Sequence, residues 1–71
     1  MKTELKAGDF CIHRTKWGDR GCEIVAFHRG YVVVYHFGTG YRAARANSLT
    51  ATTEETARRT ESNHYAEVRR G

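Results

Sequence analysis

The stretch Gly30-Tyr31-Val32-Val33-Val34-Tyr35-His36-Phe37-Gly38-Thr39-Gly40-Tyr41-Arg42-Ala43-Ala44-Arg45-Ala46-Asn47-Ser48-Leu49 decides the fold. From Tyr31 to Phe37 every residue but His36 is β-branched or aromatic, the composition of a strand with neighbours on both sides. Gly38-Thr39-Gly40 then supplies residues that accept positive φ, so the chain reverses and returns as Tyr41 to Ala46. A β-hairpin is expected, with Val32, Val34 and His36 on one face and Tyr31, Val33, Tyr35 and Phe37 on the other.

Working outward, Phe10, Ile12 and Arg14 alternate with Cys11, His13 and Thr15 as a first strand after a Gly8-Asp9 turn. Lys16 to Gly21 reads as a glycine-bracketed loop that carries the only tryptophan, Trp17. Cys22 to Arg29 reads as a second strand whose apolar residues fall on both parities, as in a long bent strand serving two halves of a small barrel. Asn47-Ser48-Leu49 is expected as a 3₁₀-like turn that drops Leu49 into the core, before a short closing strand from Thr50 to Thr53. Residues 1–53 are thus expected as one mainly β, five-stranded barrel.

Residues 54–71 differ in character and are expected as a charged tail, partly helical or disordered. Thr52 with Glu55 matches a capping box, Arg69 and Arg70 suit a helix end, and Glu54 with Arg58 and Glu55 with Arg59 are i,i+4 pairs. The apolar stripe, however, is only Ala57, Tyr65 and Val68, which makes Tyr65 and Val68 the expected docking points.

With 71 residues the chain holds one domain with a compact core. No apolar run approaches the roughly 20 residues that cross a bilayer, no apolar leader follows Met1, and two cysteines are too few for a disulfide scaffold. A cytoplasmic protein with no membrane partner is expected. The net charge of +4 lies entirely within residues 1–53, where eight Lys/Arg face four Asp/Glu. That excess suits either solubility or a polyanionic partner.

The Lys6-x-Gly8-Asp9-x-Cys11, Trp17-x-x-x-Gly21-Cys22 and Val32-Val33-Val34-Tyr35 segments, with the closing leucine, resemble the eukaryotic Tudor domain of the survival-motor-neuron type. The order of strands and turns is similar more broadly to SH3-like barrels, the KOW group included. The Tudor resemblance implies an aromatic cage for a methylated cationic side chain, with Trp17 and Tyr35 at cage positions and Phe37 or Tyr41 as a third wall. Ile24 stands where that family usually has an aromatic. Gly8-Asp9, Gly21-x-x-Ile24-Val25 and Gly30-Tyr31 also look like the type II dihydrofolate reductases, which share the barrel. Tyr41-Arg42-Ala43-Ala44 replaces that family's catalytic Val-Gln-Ile-Tyr, so only the fold carries over.

The KOW-like reading implies nucleic acid. Arg14, Lys16, Arg20, Arg42 and Arg45 are the expected phosphate contacts, and Trp17, Tyr35, Phe37 and Tyr41 the expected ligand-binding rings. Cys11, His13, Cys22, His28 and His36 are ligand types that zinc accepts, but they lack metal-binding spacing, and no nucleophile, base and orienter can be connected. The expectation is a non-enzymatic binding module without cofactor or metal. Its partner is nucleic acid or, alternatively, a peptide or protein held on the aromatic patch.

Overall fold

The computed structural model describes residues 5–70, with side chains described through Ala66. Strands β1 (Phe10–Thr15), β2 (Gly18–His28), β3 (Tyr31–His36), β4 (Gly40–Ala44) and β5 (Leu49–Thr52) form one antiparallel sheet in the order β4-β3-β2-β1-β5. A 3₁₀ turn, Ala46–Ser48, links β4 to β5, and helix α1 (Glu54–Arg70) follows. Among the described residues no hydrogen-bonded ladder joins β4 to β5, so the sheet stays open.

The alternation of the hairpin holds: Val32, Val34 and His36 are buried while Tyr31, Tyr35 and Phe37 lie on the other face, each with part of its surface in water. The core consists of Cys11, Cys22, Ile24, Val32, Val34, Ala44 and Leu49, with Leu5 packed against it. Cys11 and Cys22 are directly opposed across β1 and β2. Arg29 and Gly30 take φ of 50° and 82°, the left-handed pair that a two-residue hairpin loop demands.

The second strand begins earlier than expected. The loop after β1 is only Lys16-Trp17, because Gly18 to Gly21 pair with Thr15 back to Ile12 as part of β2. A register shift between Ile24 and Ala26 makes Val25 a bulge, which explains why the apolar residues of β2 occur on both parities. Beyond Cys22, which pairs with His36, β3 has turned away, and Gly18 to Gly21 keep only β1 as a strand neighbour.

α1 covers that bare edge. Segment 54–70 is one continuous helix of 17 residues rather than a frayed tail. Its cap is Thr53, not Thr52: the Thr53 hydroxyl accepts the Thr56 N–H at 3.2 Å. The expected Glu54–Arg58 and Glu55–Arg59 pairs form at 2.9 and 3.2 Å. The docking stripe is Ala57, Glu61 and Tyr65, spaced i, i+4, i+8 on one face, with a carboxylate at its centre; the side chain of Val68 lies outside the described residues. Gly21 permits the approach. A Cβ there would sit 1.7 Å from the Ala57 carbonyl oxygen, so only glycine lets helix and strand backbones meet.

Candidate functional site

Register sets the outer face. Phe10 pairs with Glu23, Glu23 with Tyr35, and Tyr35 with Tyr41, which lines these side chains along one rung across four strands. Their rings, joined by Phe37 just past β3, make a continuous row. Tyr41 and Tyr35 centroids lie 5.3 Å apart, Tyr35 and Phe37 6.2 Å, and Phe37 and Phe10 6.2 Å. Such spacings carry about 0.5–1.5 kcal/mol per pair beyond area burial, which pre-orders the rings. Tyr41 at the end of the row is 65% exposed, while Tyr35, Phe37 and Phe10 are half-buried; Tyr31, on the same face of β3, is also exposed.

Guanidinium groups already sit on the rings. The Arg58 Cζ, from α1, lies 4.5 Å above the Phe37 centroid. The Arg45 Cζ lies 5.2 Å from the Tyr31 centroid, and its Nη2 donates to the Tyr31 hydroxyl at 3.4 Å. Neither Phe10 nor Arg58 stands out in the sequence as a site residue. Phe10 is remote from the hairpin along the chain, and Arg58 reads only as half of a helix pair.

The other expected site residues do not gather here. Trp17, 77% exposed at the β1–β2 tip, has the Lys16 Nζ 4.5 Å from its ring centroid and forms no ring pair with another aromatic among the described residues. Trp17 and Tyr35 therefore do not form two walls of one cage, and Ile24 is core. Arg14 is opposite Asp19, whereas Arg42 is opposite Val34 and through it Ile24; five residues of β2, about 16 Å along the strand, separate those rungs. The cations fall into two groups, Arg14 with Lys16 at the tip and Arg45 over Tyr31 on the ring face; Arg42, paired with Val34, extends from the opposite face of β4.

Arg20 belongs to neither group. Its Nε and Nη2 donate to the two Glu61 oxygens at 2.9 and 2.5 Å, and Nη2 also donates to the Thr39 hydroxyl at 3.1 Å. The Gly21 N–H, left over where β3 departs, donates to Glu61 at 3.1 Å. Burial pushes the Glu61 pKa up, but the Arg20 hydrogen bonds and charge, with the Gly21 N–H and His36, bring it below its usual value. Arg20 is raised in return, chiefly by its hydrogen bond to Glu61. This carboxylate and guanidinium lock α1 to the sheet, so Arg20 is not a free phosphate contact.

Beside them, His13 Nδ1 and His36 Nε2 share one proton across 2.9 Å. Burial, then the Arg20 charge, lowers both histidines, His36 to about 4, so the pair is neutral near pH 7. The buried His36 Nδ1 has no hydrogen-bond partner. Burial also pushes the Cys22 thiol up to about 12, far from the thiolate that nucleophilic chemistry needs. Among the described residues no group of three or more His, Cys, Asp or Glu is placed to hold a metal ion, and no helix is long and apolar enough to cross a membrane.

Compared with protein families, with curated proteins and with solved structures, the chain matches none.

Proposed function

We propose that this chain is a small non-enzymatic module that binds single-stranded nucleic acid, or a complex containing it, on the outer face of β3 and β4. The observation that carries this reading is the row of four rings, Tyr41, Tyr35, Phe37 and Phe10, with Arg45 on the same face over Tyr31 and Arg58 over Phe37. The exposed Tyr41 ring and the part-exposed rings beside it suit unstacked bases at about 1–3 kcal/mol per base, and the adjoining guanidinium groups suit phosphates. Arg14, Lys16 and Trp17 form a second, outlying contact for a longer strand. The strand order, the long shared β2 and the 3₁₀ step before β5 support an SH3-like barrel of Tudor or KOW type. A cytoplasmic setting fits the free Cys11 and Cys22 thiols.

A second reading, a peptide or partner protein on the same rings, draws on Phe37 and Tyr31 already accepting guanidinium groups. Titrating single strands, duplexes and arginine-methylated peptides at two salt concentrations, with backbone amide shifts as readout, separates the two. Single strands are expected to move Tyr35 and Tyr41 and to bind less tightly at the higher salt. No binding at low salt overturns the nucleic-acid reading.

A further inference from the structure

The ring row does not end at Phe37. Past it, the Phe37–Gly38 turn faces α1 across two adjoining hollows of about 500 and 400 Å³ that share Gly38, Ser62 and Tyr65. The smaller adds Phe37, Arg58 and Glu61, and both are shallow hollows open to solvent. The Tyr65 hydroxyl, 3.5 Å from the Phe37 carbonyl, bridges the turn and the helix across the groove. Gly38 turns the chain there at φ 82°, and a Cβ on it would make ordinary contact with that hydroxyl at 3.7 Å.

The Glu61 charge is neutralised by Arg20, so the uncompensated tendency of the groove comes from Arg58. Arg58 rests over Phe37 and its ion pair is with exposed Glu54, an i,i+4 pair that an incoming anion displaces at little cost. Two ring walls, a cation and the exposed Ser62 hydroxyl match the base, phosphate and sugar or base-edge groups of a nucleotide. A peptide arginine or lysine entering the same groove would instead meet the like charge of Arg58.

We infer that this groove receives one unstacked base of the bound strand, between Phe37 and Tyr65, with the neighbouring phosphate on Arg58. The inference rests on the ring-row reading and extends it to α1, which becomes part of the ligand surface.

Titration with a single-stranded hexanucleotide tests it, reading amide shifts in the intact chain and in two variants at exposed helix positions, Ser62→Leu and Arg58→Ala. The Gly38 and Ser62 amides are expected to shift together with Tyr35 and Tyr41. Filling the groove with Ser62→Leu is expected to weaken binding about tenfold, the loss of one stacked base. Arg58→Ala is expected to weaken it and to reduce the salt slope by about one contact. Shifts at Tyr35 and Tyr41 with Gly38 and Ser62 silent, and Ser62→Leu binding unchanged, overturn the groove while leaving the ring row standing. Shifts nowhere overturn the ring-row reading itself.

Discussion

Where α1 meets β2, the buried centre is a carboxylate and a guanidinium; where β3 meets β4, the surface offered to water is a row of rings. The two regions reverse the usual division of polar and apolar side chains, and they do so for different reasons. At the seam a strand edge had lost its neighbour. Glu61 supplies the missing acceptor for the Gly21 N–H, and Arg20 neutralises the buried charge through a two-pronged contact. Every lone pair used there has a donor, so the polar centre specifies one docking position for the helix. The rings, by contrast, are only half-buried at Phe10, Tyr35 and Phe37, and at Tyr41 the ring is mostly in water, where it contributes little to stability that a smaller residue would not. The comparison teaches that polarity inside this molecule is structural, whereas the apolar surface outside it is the one proposed to meet a ligand.

The sharpest way to break that contrast is to remove one partner at the seam. Glu61→Ala leaves Arg20 and the Gly21 N–H without an acceptor, and breaking a buried pair in this way typically costs about 3–5 kcal/mol. For a domain of this size that approaches the whole stability. Gly21→Ala attacks the same contact sterically and is expected to lose about 3 kcal/mol, because the Ala57 carbonyl has no room to retreat without undocking α1. Thermal unfolding followed by circular dichroism checks both. A midpoint unchanged by either substitution would mean that α1 contributes nothing to the fold.

Acid attacks the same region by titration. His36 is held down to about 4 by burial and the Arg20 charge, and His13 is lowered by the same causes. An unfolded histidine titrates near pH 6.5, so between about pH 6.5 and about pH 4 the unfolded chain binds protons that the folded one excludes. Stability therefore falls as pH drops through that window. Glu61, below its usual value, adds a further loss once the pH falls through the carboxylate range. Urea midpoints measured from about pH 7 to about pH 4 are expected to decline continuously, and His36→Val to flatten the upper part of the curve. An equally steep decline in that variant would place the acid sensitivity elsewhere.

Much of the ring region was legible in the chain, and little of the seam. Alternation along Tyr31 to Phe37 separated core valines from outward rings, and the Gly38-Thr39-Gly40 reversal placed Tyr41 beside Tyr35. Leu49 could be assigned to the core for the same reason of local pattern. The seam had no local signature. Gly18 to Gly21 carry turn-forming residues and are extended only because β1 pairs with them and α1 needs a strand without side chains at Gly21. Glu61 falls between Ala57 and Tyr65 on the apolar stripe, where a carboxylate reads as a break in the pattern, and its burial depends on Arg20, far away in sequence. Trp17 with Tyr35 was a pairing by family resemblance, and the two-residue tip holding Trp17 out into water undoes it.

The smallest expected change in stability sharpens the comparison from the ring side. Tyr41 is mostly exposed on the edge strand β4 and meets only Tyr35 among the rings, so Tyr41→Ala is expected to cost the fold no more than about 1 kcal/mol. The same substitution removes the most exposed stacking face of the row, which predicts roughly tenfold weaker binding of a single strand. Equilibrium unfolding and an oligonucleotide titration on one preparation measure both quantities. If the variant loses stability on the scale of Glu61→Ala while binding is untouched, the ring row is packing after all, and the division between a structural polar interior and a ligand-facing apolar exterior fails at its exposed end.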